Sequence, residues 1–130
     1  MAQYGGKRSD FQLPTHALAL GENWPLRWAI EDENGTALSS FAGLTWGFAI
    51  LDQLTTANGW TAVLAAALHS ETSAGGGITA SVPNVDVTVT AVEQAAVSSN
   101  AGLTVRPYAY ELWELTNVRR VAYGLLVPIA

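Results

Sequence analysis

Apolar and polar residues alternate with a period of two along most of this chain. Trp24, Leu26, Trp28 and Ile30 take one side of a stretch whose other side carries Pro25, Arg27, Ala29 and Glu31. Leu44, Trp46, Phe48 and Ile50 stand in the same way against Thr45, Gly47 and Ala49. Val85, Val87 and Val89 oppose Asp86, Thr88 and Thr90, while Tyr108, Tyr110 and Leu112 oppose Glu111 and Trp113. Side chains leave a β-strand on alternate faces, whereas a helical face repeats every 3.6 residues. These stretches therefore predict strands with one buried side. The last of them turns through Thr116-Asn117-Val118, where Asn117 tolerates a left-handed backbone, and returns as Val121–Val127 to close a hairpin.

The intervening segments carry the punctuation of a β protein. A short strand over Thr15–Leu20 leads into the turn Gly21-Glu22-Asn23, and Asn34-Gly35 is a strong reversal signal. Ile78–Val82 and Val85–Thr90 pair across Pro83-Asn84. Gly47 between bulky neighbours marks a bulge or a close approach by another part of the chain. Thr90 followed three residues later by Glu93 reads as a capping box, so a short helix is expected over 91–97. Trp60–Leu68 is ambiguous: its alanines favour helix, while Thr61, Val63 and the surrounding strands favour strand, and strand is our reading. Residues 1–14, polar and containing Gly5-Gly6, are expected to form a flexible arm before a domain over 15–130. Seven or eight short antiparallel strands with one helical turn define an all-β sandwich.

Composition then changes the question from catalysis to surfaces. Charged residues make up only 13% of the chain, about half the 25% usual in globular domains, while hydrophobic residues reach 49%. A 130-residue domain has much surface for its volume, so part of the exterior must be uncharged. Such surfaces mark contacts with other chains. The net charge of −5 argues against nucleic acid as a partner. No apolar run has the length of a membrane span or a secretory leader, so a protein soluble when made is expected. There is no cysteine, which rules out disulfides and thiolate chemistry.

Catalytic patterns are absent from the sequence. His16 and His69 stand far apart with no metal-ligand spacing and are expected at the surface or at strand ends. Glu111 and Glu114 are oddly spaced and fall on opposite faces of their strand, unlike the paired acids of a glycosidase. Gly75-Gly76-Gly77 lacks a phosphate-loop frame, and no serine sits in a nucleophile elbow. The expectation is a protein that is not an enzyme, with no catalytic residue, cofactor or metal. Trp24, Trp28 and Trp46 share faces with Leu26, Ile30 and Phe48 and belong to the core. Trp60 and Trp113 are the tryptophans free to anchor an interface.

The order of these elements resembles the immunoglobulin-like N-terminal domain of bacteriophage baseplate upper proteins and related small virion modules. The similarity runs from Thr15 to Ile129. Leu20-Gly21-Glu22-Asn23 takes the place of the family's first turn, without its arginine and aspartate. Phe41-Ala42-Gly43 precedes the strand at Leu44–Ile50. Gly77-Ile78-Thr79 with Val87-Thr88-Val89, the Thr90–Val97 turn, Tyr108-Ala-Tyr-Glu-Leu and Gly124-Leu-Leu-Val match later family segments, while 52–77 forms an insertion. The resemblance implies an immunoglobulin-like β-sandwich acting as an adaptor or anchor in the tail, baseplate or fibre-attachment region of a virion. Such a protein is made in the host cytoplasm, binds other virion structural proteins and self-associates, as a trimer by our guess. It involves neither nucleic acid nor membrane. Candidate interface residues are Trp113, Leu115 and Leu126 on the last hairpin, Gly47 and Trp60, with the N-terminal arm. A capsid decoration or head-fibre protein is a variant of this expectation. A carbohydrate-binding module, which requires two exposed coplanar tryptophans, is the rival from another class, and a hydrolase is a distant third.

Overall fold

In the computed structural model, residues 7–8, 18–32, 34–54, 59–97 and 102–129 are described. They form an all-β sandwich. In chain order the elements are β1 (Lys7–Arg8), β2 (Trp24–Ala29), β3 (Trp46–Leu51), α1 (Trp60–Ala66), β4 (His69–Thr72), β5 (Ile78–Ser81), β6 (Asn84–Val89), α2 (Ala91–Ala96), β7 (Tyr108–Glu114) and β8 (Arg119–Leu126). One sheet has the order β1-β8-β7-β3-β4 and the other the order β2-β6-β5. With the strands lettered in sequence, the orders are A-G-F-C-C′ and B-E-D, which contain the G-F-C-C′ and B-E-D runs of immunoglobulin-type sandwiches. The pairings are antiparallel except for β1, which lies parallel to β8. The expectation of antiparallel strands is corrected at that edge, and two residues assigned to the arm are a strand.

The inner faces carry the residues that the alternation selected. Trp24, Leu26, Trp28, Phe48, Ile50, Val85, Val87, Val89, Tyr110, Leu112 and Leu126 share one buried cluster. Burying one such side chain stabilises the fold by about 1.5–3 kcal/mol. At the centre, Trp28 of β2 donates its indole N–H to the Tyr110 hydroxyl of β7 at 3.3 Å, the rings 5.4 Å apart. Phe48 of β3 packs on Trp28 at 5.6 Å. Two residues before Tyr110, the Tyr108 hydroxyl accepts a hydrogen bond from the Thr104 amide at 2.9 Å. In immunoglobulin domains a tyrosine making this upstream bond precedes, by two residues, the cysteine that bridges the sheets. Tyr110, with Trp28 facing it from β2, stands where that bridge would lie, and a hydrogen-bonded aromatic pair fills the place.

Three local expectations need correction. Residues 60–66 are a helix, not a strand: the alanine-rich sequence follows its propensity, and α1 lies against β3 instead of pairing with it. The hairpin turn places its positive φ at Val118 (φ 51), not at Asn117. Leu18–Leu20 forms no strand, its Ala19 making only an isolated bridge to Ile129. The capping box, by contrast, is complete. Glu93 N–H donates to the Thr90 hydroxyl at 3.2 Å and Thr90 N–H donates to the Glu93 carboxylate at 2.8 Å. Most of the arm, His16, Glu33, the 55–58 turn and residues 98–101 lie outside the described residues.

Candidate functional site

The proposed interface residues separate onto two faces of the five-stranded sheet. Trp113 is 6% exposed and joins Ala49, Leu51, Val63 and Ala109 in a second, smaller cluster on the outer face, with Trp60, Ala67 and Leu115 packed around it. Helix α1 is its cover. A Cβ placed on Gly47 would stand 2.7 Å from the Trp60 indole, so the glycine opens the seat for that ring. The close approach expected at Gly47 is thus made by a side chain. Trp60 and Trp113 meet at 6.4 Å with planes 53° apart, neither coplanar nor exposed, and the other three tryptophans are 1–3% exposed. The two exposed, coplanar tryptophans that a carbohydrate-binding module requires are not formed. The face expected to await a companion is here covered by the chain itself.

Leu126 is on the inner face, fully buried beside Tyr108. A shift of one residue in a strand reverses the face of every side chain, and the outward positions belong to its neighbours. Leu125, Val127 and Ile129 are 50%, 46% and 43% exposed, while Gly124, Leu126 and Pro128 between them are buried. The chain end Gly124-Leu-Leu-Val-Pro-Ile is thus apolar on both sides. A strand covered on both faces reads this way, whereas one facing water alternates with polar residues. The sequence reads these residues as the returning hairpin strand with Leu126 at the interface; the unbroken apolarity that continues to Ile129 is the signal for an outward contact.

A different arrangement occupies the opposite edge of the sandwich. His69 opens β4, the edge strand, opposite Ile50, and Glu71 lies opposite Phe48. Both side chains therefore point between the sheets. Glu93 reaches the same place from the first turn of α2. His69 Nε2 is 3.3 Å from Glu71 Oε2 and 3.8 Å from Glu93 Oε2, and the three donor atoms lie within 4.8 Å of one another. Side-chain exposure is 13% for His69 and 6% for Glu71. The histidine and Glu71 are close but not aligned for hydrogen bonding, and His69 Nε2 and Glu71 Oε2 are buried without a hydrogen-bond partner among the described residues. Burial pushes the Glu71 carboxyl above its ordinary value, the Glu93 charge acting the same way and His69 opposing. His69 is at a strand end, as expected, but not at the surface.

Glu71 and Glu93 line an open cleft of about 700 Å³ whose walls include Gly77, Thr79, Asp86 and Thr88. Gly77 makes room for the Glu71 carboxylate: a Cβ there would fall 1.9 Å from Glu71 Oε1. The spacing His-x-Glu gave no sign of this cluster, because its third member is distant in sequence and had been read as a helix cap. No protein-family model, curated protein or solved structure matches this chain.

Proposed function

We propose that this protein is a structural module of a bacteriophage particle, an adaptor or anchor that works by self-association and by contact with other virion proteins. The observation that carries the reading is the two-sided apolar stretch at the end of β8 and just beyond it, where Leu125, Val127 and Ile129 stand outward. Burying a strand face of this kind against a second copy removes apolar surface at about 25 cal/mol per Å². The sparse charge of the chain, 13% of residues, supports the same use, since few ions need to lose water on contact. The Thr90–Glu93 cap and the closing hairpin, which carry the resemblance to baseplate modules, are both formed.

Light scattering on the purified chain tests the first half of the reading. The wild type is expected to be a multimer, and Leu125→Glu with Val127→Glu to shift it to single copies with an unchanged circular dichroism spectrum. A wild type that stays monomeric at high concentration would overturn self-association. Peptide mass spectrometry of particles purified from the source organism tests the second half, and absence of the chain from them removes the virion assignment.

A further inference from the structure

We propose that His69, Glu71 and Glu93 form a binding site for a divalent transition-metal ion of the zinc type, with a remaining coordination position open to the adjacent cleft. This inference is independent of the assembly reading. It begins from chemistry: one imidazole and two carboxylates suit zinc, whereas calcium takes six to eight oxygens. Geometry agrees. Donors about 2.0–2.1 Å from a tetrahedral ion stand roughly 3.3 Å apart, and His69 Nε2 and Glu71 Oε2 are already 3.3 Å apart. Glu93 Oε2 is 3.8 Å from the imidazole and within 4.8 Å of the Glu71 donor, so its side chain has to close in on the ion to complete the set.

The second observation is the unfinished bonding of the buried pair. The Glu71 side chain is 6% exposed, yet its Oε2 and the facing His69 Nε2 have no hydrogen-bond partner among the described residues. Buried polar atoms are nearly always satisfied, and each exception calls for an ion, a water or a function. A cation here would satisfy both atoms and offset the two carboxylate charges at once. The remaining carboxylate oxygens are occupied elsewhere: Glu93 Oε1 accepts from the Thr90 amide, and Glu71 Oε1 fills the space that Gly77 leaves. The ion would tie the β4 edge of one sheet to the helix that follows β6 of the other. Its open side would face the cleft that Glu71 and Glu93 line, where water or an anionic group can bind.

The test uses the untagged full chain stripped of metal with a chelator. Calorimetric titration with zinc chloride is expected to show one ion per chain, and zinc to raise the melting temperature. His69→Gln, Glu71→Gln and Glu93→Gln should each weaken binding by about tenfold or more, since even outer partners of a metal site contribute 10–100-fold. Glutamine at 93 can still serve the capping box, so a loss there reports on the metal. His16→Gln should bind as the wild type does. Should any ligand variant fail to fold, the visible absorption of cobalt on the wild type decides: bands of four-coordinate cobalt support the site, and their absence overturns it. No saturable zinc binding, equal affinity in all the variants, or loss of binding in His16→Gln alone would each overturn it as well.

Discussion

The centre and the edge of the inter-sheet space are built from the same strands and finished differently. At the centre, Phe48 and Ile50 of β3 face Trp28 and Tyr110, and the two polar atoms buried there find each other. One strand over, the register partners of those same two residues are Glu71 and His69, whose facing polar atoms find no hydrogen bond among the described residues. Central polar groups that complete their bonding contribute to stability. Groups at an edge that leave bonding capacity open cost stability and gain the means to hold something else. The comparison sets a bonded core pair against an edge pair that the proposed ion would satisfy; the Trp46 indole N–H, also buried without a partner among the described residues, is outside the His69, Glu71 and Glu93 cluster.

Substitutions sharpen that contrast in order of size. Trp28→Ala empties the centre and is expected to cost about 3–5 kcal/mol, a large share of the stability of a small domain; chemical denaturation should show a collapsed midpoint. Tyr110→Phe keeps the ring and removes the hydroxyl that accepts from the Trp28 indole, so a loss of about 1 kcal/mol or somewhat more is expected in the same measurement. Glu71→Gln is expected to leave the metal-free chain as stable as the wild type or slightly more so, because it removes a buried charge next to Glu93. If Glu71→Gln instead destabilised the metal-free chain as much as Trp28→Ala, the edge would be part of the scaffold and the contrast would fail.

Much of the scaffold was legible because it depends on local rules. Alternation at Trp24–Ile30, Val85–Val89 and Tyr108–Leu112 reports which face is buried, and Thr90 with Glu93 announces its own helix. The odd spacing of Glu111 and Glu114 also holds. Glu111 is beside Ala49 on the outer face and takes the Trp113 indole N–H at 2.9 Å, while Glu114 is beside Trp46 and accepts from the turn amides of Thr116 and Asn117. What escaped was whatever depends on distant segments meeting. Trp60 could be placed only once Gly47 was known to lie beneath it. Leu126 was assigned to the wrong side because Val121–Val127 offers apolar residues at both parities. The His69, Glu71 and Glu93 cluster is assembled by two elements on different sheets, so no spacing along the chain encodes it.

The aromatic pair at the bridge position has a consequence for where this domain can work. Its counterparts with a covalent staple need an oxidant to mature and can lose that staple to a reductant. Trp28 and Tyr110 carry no thiol, and the chain has no cysteine at all. Nothing between these sheets waits on disulfide formation or is undone by thiol exchange, so a reducing and a non-reducing compartment leave the link alike.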